Sequence, residues 1–233
     1  AFTRVQLGES EPALALFDAA LRAAREAGDR RSEGMLQAGI GSVLVRLSRL
    51  DDAAQAFDKA LAMDEEVGNL YAGAAALAAR GELNRARGRT EAARADLEAA
   101  LEGYREFGER RHEGIALTEL GTLHQEQGRF GEARACLERA QQHHRELGSR
   151  LFQVVALATL GDLEREQGQL IDAIGRYERA LRIARELGDR VAQARILASL
   201  GGTSAALNRL DAARESLEDA DTLAWALGDT STI

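Results

Sequence analysis

The sequence predicts an all-α protein built from repeated helical hairpins, and three observations carry that prediction. Glycine recurs every 40 residues, at Gly28, Gly68, Gly108, Gly148, Gly188 and Gly228. Within each interval, apolar residues of the second helix fall at i, i+4 and i+7, the spacing of one helix face at 3.6 residues per turn. Pro12 is the single proline, and no strand-like alternation of any length appears, so no sheet is expected.

The interval from Arg110 to Gly148 shows the unit most clearly. Leu117, Leu120, Gly121 and Leu123 mark one face of a first helix. Gly128 then interrupts the pattern, and Ala133, Leu137 and Ala140 mark a second helix. Gly148 closes it, as a residue that enters the left-handed conformation at little cost. Two amphipathic helices joined by a short turn form an αα-hairpin.

The landmarks repeat without slippage. The mid-unit turn falls at Gly8, Ser48, Gly88, Gly128, Gly168 and Asn208, and the small first-helix residue at Gly41, Gly81, Gly121, Gly161 and Gly201. The second helices carry paired alanines (Ala13/Ala20 through Ala213/Ala220) with Phe17, Phe57, Leu97, Leu137, Tyr177 and Leu217 between them. Small residues let helices approach closely, and the large residue fills the groove opposite. After the unit-end glycines, Asp29, Asn69, Ser149, Asp189 and Asp229 are N-cap types.

The chain therefore reads as one solenoid over residues 1–233, with a partial unit at 1–28 and full units at 29–68, 69–108, 109–148, 149–188 and 189–228. Each full unit should hold two helices of about 17 residues, roughly 25 Å long. Residues 1–7 read as the end of a preceding helix and Asp229 as the cap of a further one, so a longer parent array is expected, with an effector domain on one side. Trp225 stands in a column otherwise held by Arg25, Arg105, Arg145 and Arg185. It is expected to cover the end of the stack or to pack on a further repeat.

These columns resemble the tetratricopeptide repeat family. Leu120-Gly121, Leu160-Gly161 and Leu200-Gly201 match its Leu-Gly pair, Ile40-Gly41 approximates it, and GRFGEA at Gly128–Ala133 resembles its inter-helix turn. The resemblance implies a right-handed superhelical solenoid. The period exceeds the usual 34 residues, the expected proline is missing, and Arg80 replaces the leucine of the Leu-Gly pair. The longer period is similar to kinesin light chains, cell-polarity adaptors and the regulatory arms of bacterial signalling ATPases and transcription factors.

Composition narrows the function classes. A net charge of −8 argues against direct binding of duplex nucleic acid, which needs a basic face. No apolar run reaches the roughly 20 residues of a membrane span. Cys136 is alone, so no disulfide framework forms within the chain. A cytoplasmic location is expected. Lys59 is the only lysine, and this arginine bias points to a GC-rich, bacterial coding sequence.

Candidates for chemistry are few. His112, His124, His143 and His144 lack metal-ligand spacing, since adjacent helical residues point apart. Cys136 has no base arranged beside it, and the periodic glycines are turns rather than a phosphate loop. No cofactor, metal or catalytic set is expected. The recurring Arg-Glu before each unit-end glycine (Arg25-Glu26, Arg105-Glu106, Arg145-Glu146, Arg185-Glu186) should form exposed pairs between repeats, each worth roughly 0–1 kcal/mol.

By the resemblance, first helices line a concave groove. The positions one, four and five after the first-helix glycine, and three and six before it, face inward. They give Met35, Ser42, Val45 and Arg46; Glu82, Arg85 and Ala86; Ile115, Thr118, Thr122, Gln125 and Glu126; Val155, Asp162, Arg165 and Glu166; and Arg195. The Lys/Asn carboxylate clamp of chaperone-binding relatives is absent. The same positions read either as a solvated inner surface or as a groove for a peptide with basic or hydrogen-bonding side chains. The expected function is a non-catalytic protein–protein interaction module, a scaffold or regulatory sensor taking a peptide or protein ligand. The alternatives are an oligomerisation element that self-associates through its end repeats, and the sensor arm of a larger signalling ATPase, kinase or transcription regulator.

Overall fold

A computed structural model describes residues 10–228. The described chain is helical hairpins alone: α1 (Ser10–Ala27), α2 (Arg30–Arg46), α3 (Leu50–Glu66), α4 (Leu70–Ala86), α5 (Thr90–Glu106), α6 (Arg110–Glu126), α7 (Phe130–Glu146), α8 (Arg150–Glu166), α9 (Leu170–Leu187), α10 (Arg190–Ala206) and α11 (Leu210–Gly228). No strand occurs among the described residues. The expected helix over residues 1–7, the turn at Gly8 and the cap at Asp229 lie outside them.

Both turns of the unit are one motif. Asp29 N donates to Ala24 O at 2.9 Å and Arg49 N to Leu44 O at 2.9 Å, each spanning a residue at positive φ. These are six-to-one bonds that satisfy the last carbonyls of a helix. Ser48 (φ 57°) and Asn208 (φ 59°) hold the left-handed position that glycine holds elsewhere. Gly228 is different: it ends α11 without a positive φ.

The capping expectation holds for two of the residues. Asp29 accepts from Ser32 N at 3.0 Å and Asp189 from Ala192 N at 2.9 Å. The hydroxyl and backbone bonds from Ser32 hold the Asp29 carboxyl below its ordinary pKa. Asn69 and Ser149 make no side-chain cap. Asn69 instead donates its amide to the buried Asp64 Oδ1 at 3.1 Å, an orientation that leaves its own Oδ1 beside Arg31 Nη2 at 3.5 Å rather than at the helix start.

The small columns are the packing code. A Cβ added at Gly41, Gly81, Gly121, Gly161 or Gly201 would lie 2.6–2.8 Å from Phe57, Leu97, Leu137, Tyr177 or Leu217, respectively, on the second helix of the same unit. Each large residue therefore lies on the glycine of its own hairpin, and its flanking alanines are buried, except Ala20. Dense interdigitation of this kind leaves no space for one more carbon.

The chain divides into two compact units, residues 1–119 and 120–233, with the division inside α6. The core of the first is centred on Phe17, Val43, Phe57 and Leu83. The second has clusters around Leu137 and Leu160, and around Leu157, Tyr177 and Ile196.

Candidate first-helix binding face

In the first unit, the expected site residues Arg46, Glu82, Arg85 and Thr118 lie on α2, α4 and α6. Arg46 and Glu82 are exposed, Arg85 is half-buried and Thr118 is buried. The Thr118 hydroxyl donates to Gly114 O at 3.0 Å. Arg85 Nη2 reaches Glu119 Oε2 at 3.5 Å. Although much of the Glu82 side chain meets solvent, the packed helices around it desolvate the carboxylate, and this together with the Glu119 charge raises its pKa to about 7, against a downward pull from Arg85. Two carboxylates thus share one guanidinium, and Arg85 leans to Glu119.

Sequence reasoning passed over Glu119. It stands two residues before the first-helix glycine, outside the inward positions, and its column elsewhere holds Gly39, Ala79, Thr159 and Ser199. A lone acid in a small-residue column was the available signal.

Beside this set lies a 560 Å³ trough between α2 and α4, lined by Met35, Leu36, Ser42, Tyr71, Ala75 and Ala79. The residue columns suggested a polar face, but here alanines and a methionine give it an apolar floor. Tyr71 closes one end, its hydroxyl 3.4 Å from His112 Nδ1 and its ring edge-on to Tyr104 at 6.2 Å. His112 stacks on Tyr104 with ring centroids 5.2 Å apart. Packing thus accounts for this histidine.

In the second unit, Thr122, Gln125 and Glu126 stand at the end of α6, Asp162, Arg165 and Glu166 on α8, and Arg195 on α10. Thr122, Gln125 and Asp162 are half-buried, while Glu126, Arg165, Glu166 and Arg195 are exposed. The structure brings Asp162 and Arg165 together around Tyr177. The Tyr177 hydroxyl donates to Asp162 Oδ1 at 2.7 Å, and Arg165 Nη2 lies 4.0 Å from the same oxygen. Burial and the bond to Asp162 raise the pKa of Tyr177, so the phenol keeps its proton. Asp162 is thereby fixed in direction, a preorganised acceptor.

The arginines before the unit-end glycines differ from expectation. Arg25 reaches Glu33 (3.5 Å) and Arg105 reaches Glu113 (3.1 Å), and both acids are buried at the start of the next first helix. Their partners are therefore desolvated. Trp225 is 78% exposed and covers no core. His124 is buried with Nδ1 unbonded, and His144 stacks on Phe152 at 5.2 Å. Among the described residues no three His, Cys, Asp or Glu side chains group as a metal site, and no helix is long and apolar enough to cross a membrane.

Hairpins closed by left-handed turns, with glycine opposite a large residue in each, define a helical-repeat protein of the α-solenoid class. Models of the tetratricopeptide repeat match residues 73–146 and 152–220, and a second such model matches 38–106. The matches span more than half of the sequence, and the chain belongs to the tetratricopeptide repeat family. No curated protein sequence matches it significantly.

Among solved structures, the chain is similar to BtubC (BKLC) from P. vanneervenii, with 17% identity, 94% of this chain and 92% of that one covered, and a TM-score of 0.82. A signal transduction ATPase with numerous domains and a tetratricopeptide repeat sensor, from Pyrococcus horikoshii, gives 19% identity and a TM-score of 0.81. That alignment covers 96% of this chain and 35% of the ATPase. A Rap protein complexed with Competence and Sporulation Factor gives 14% identity, coverage of 98% and 74%, and a TM-score of 0.76. At these identities the likeness shows the fold.

Proposed function

We propose that this chain is a non-catalytic interaction module that binds a peptide or partner protein bearing basic side chains on its first-helix face, as a scaffold or regulatory sensor. The observation that carries the reading is the state of Glu82. It is solvent-accessible, it shares Arg85 with Glu119, and its charged form is disfavoured. A ligand cation placed there would relieve the repulsion, and the adjoining apolar trough would take a neighbouring side chain. The oriented Asp162 offers a comparable acceptor in the second unit. The same fold serves as the sensor of the ATPase and holds Competence and Sporulation Factor in the Rap complex, which supports a regulatory reading.

The test is capture from the source organism's lysate by the native chain and by a Glu82→Arg, Asp162→Arg variant, followed by mass spectrometry. A protein held by the native chain and lost by the variant supports the face and names its ligand. Equal retention by both moves binding elsewhere on the molecule.

A further inference from the structure

The second full repeat lacks an ion-pair arrangement found in the first and the fourth. Arg30 at the start of α2 bonds Glu66 at 2.6 Å, and Arg150 at the start of α8 bonds Glu186 in the same way. The corresponding residue of α4 is Leu70, 59% exposed, which leaves Glu106 without that arginine. Three residues on, Glu33 and Glu113 receive Arg25 and Arg105, whereas α4 has Gly73 and the arginine column has Glu65. One column set has lost two cations and a side chain together.

The result is an open pocket of 630 Å³ between α3 and α5, floored by α4. A Cβ on Gly73 would meet only Asp64 Cβ, at 3.8 Å, so the space there is real. The floor is apolar, from Leu61, Leu70, Ala74 and Leu77, and the rim is acidic, from Glu65, Glu102 and Glu106. Arg80, the cation of the lining, is held by Asp96 and Asp58. On the wall stands Asp64, 2% exposed, whose Oδ2 has no hydrogen-bond partner. Its carboxylate turns toward Gly34 of α2 and its Cβ toward Gly73, so the chemistry the pocket offers an occupant is the apolar floor and the glutamate rim.

We propose that this pocket is a second binding site, for a helix of a partner protein that presents an apolar side chain flanked by arginine. Charge complementarity selects the occupant. The apolar residue covers Leu61, Leu70 and Leu77, and an arginine on one flank meets Glu65 and Glu106 of the rim. Arginine suits this role because its planar fork bonds carboxylates at low hydration cost. The site opens on a different flank of α4 from the first-helix trough, which lies along Tyr71, Ala75 and Ala79; Asn69 lines both.

The probe is a short fluorescein-labelled alanine-based helix with two leucines one turn apart, flanked by arginines. Controls replace the arginines by glutamate or the leucines by serine. Fluorescence anisotropy should show the arginine-leucine helix binding at least about tenfold more tightly than either control, and more weakly as salt is raised. The decisive variant is Glu65→Arg, Leu70→Arg, Gly73→Glu, which installs the residues used by neighbouring repeats and should abolish binding. Glu65→Gln with Glu106→Gln, a surface change that leaves the fold intact, should weaken it severalfold. Binding should survive Glu82→Arg. The proposal is overturned if the arginine-leucine helix does not bind, if the glutamate control binds equally, if both pocket variants bind as the native chain does, or if Glu82→Arg removes binding. Sedimentation showing a native dimer that the triple variant abolishes would also overturn it, by assigning the pocket to a second copy of this chain.

Discussion

Arg80 grips Asp96 with the Nε–Nη2 edge of its guanidinium: Nη2 lies 2.6 Å from Oδ1 and Nε 3.0 Å from Oδ2. Arg80 occupies the position where three other repeats have the leucine of the Leu-Gly pair, and Asp96 answers it from α5 in a column that holds Leu16, Ala56, Cys136, Arg176 and Ser216 elsewhere. Asn84 adds a third bond to Asp96 Oδ2 at 2.9 Å. An apolar contact of the family pattern has been exchanged for an ionic one.

A double-mutant cycle should expose the exchange. Arg80→Leu alone leaves the buried Asp96 carboxylate without its cation, held by the Asn84 amide, and should cost about 3 kcal/mol, while Arg80→Leu with Asp96→Ala should return to within about 1 kcal/mol of the native chain. Urea unfolding of the four proteins measures this, and simple additivity would refute the coupling.

The glycine code predicts opposite signs for one substitution at two helical sites. At Gly161 an added Cβ falls 2.7 Å from the Tyr177 ring, so Gly161→Ala should destabilise by about 1–2 kcal/mol after the gain in helix propensity is counted. At Gly175 nothing lies within 4 Å, and Gly175→Ala should stabilise by about 0.5–1 kcal/mol. Thermal unfolding shifts in opposite directions are the expected readout.

Ser48 adopts φ 57° at a turn where neighbouring units have glycine. Ser48→Gly should therefore stabilise the chain by about 1 kcal/mol, since the left-handed conformation costs an L-residue roughly that much. A lowered melting temperature would show that the serine side chain contributes more than its backbone strain.

Glu82 should make stability depend on pH in an unusual direction. Its folded pKa, about 7, lies above the ordinary 4.5, so the folded chain holds the proton longer than the unfolded chain. Between these values Glu82 lowers stability as pH rises, and its full penalty is present above pH 7. Glu82→Gln should match the native chain near pH 4 and exceed it near pH 8 in thermal unfolding. Solvent access to the carboxylate screens part of the effect, so the test is the sign and the window of the difference. A basic ligand on this face should likewise bind more tightly as pH rises through 7.

Much of this protein was legible without coordinates. Helix ends, hairpin pairing and the glycine columns follow from residues one turn or one repeat apart, because helix geometry turns sequence spacing directly into a shared face. The match of Gly161 to Tyr177 belongs to that class. So does the placing of Glu82, Arg85 and Asp162 on first helices, although what they bind remains a proposal.

Other relationships link side chains whose meeting depends on reach and burial rather than period. Glu119 draws Arg85 from a helix 34 residues earlier, Asn69 abandons its cap for Asp64, and Asp96 answers Arg80. Each choice is set by which long side chain can span the gap and which buried charge most needs a partner. The acidic pocket arises from what Leu70 and Gly73 no longer supply. The periodic sequence alone determined the helices and their order; the tertiary structure decided their exceptions, because desolvation and rotamer reach exist only once the helices are packed.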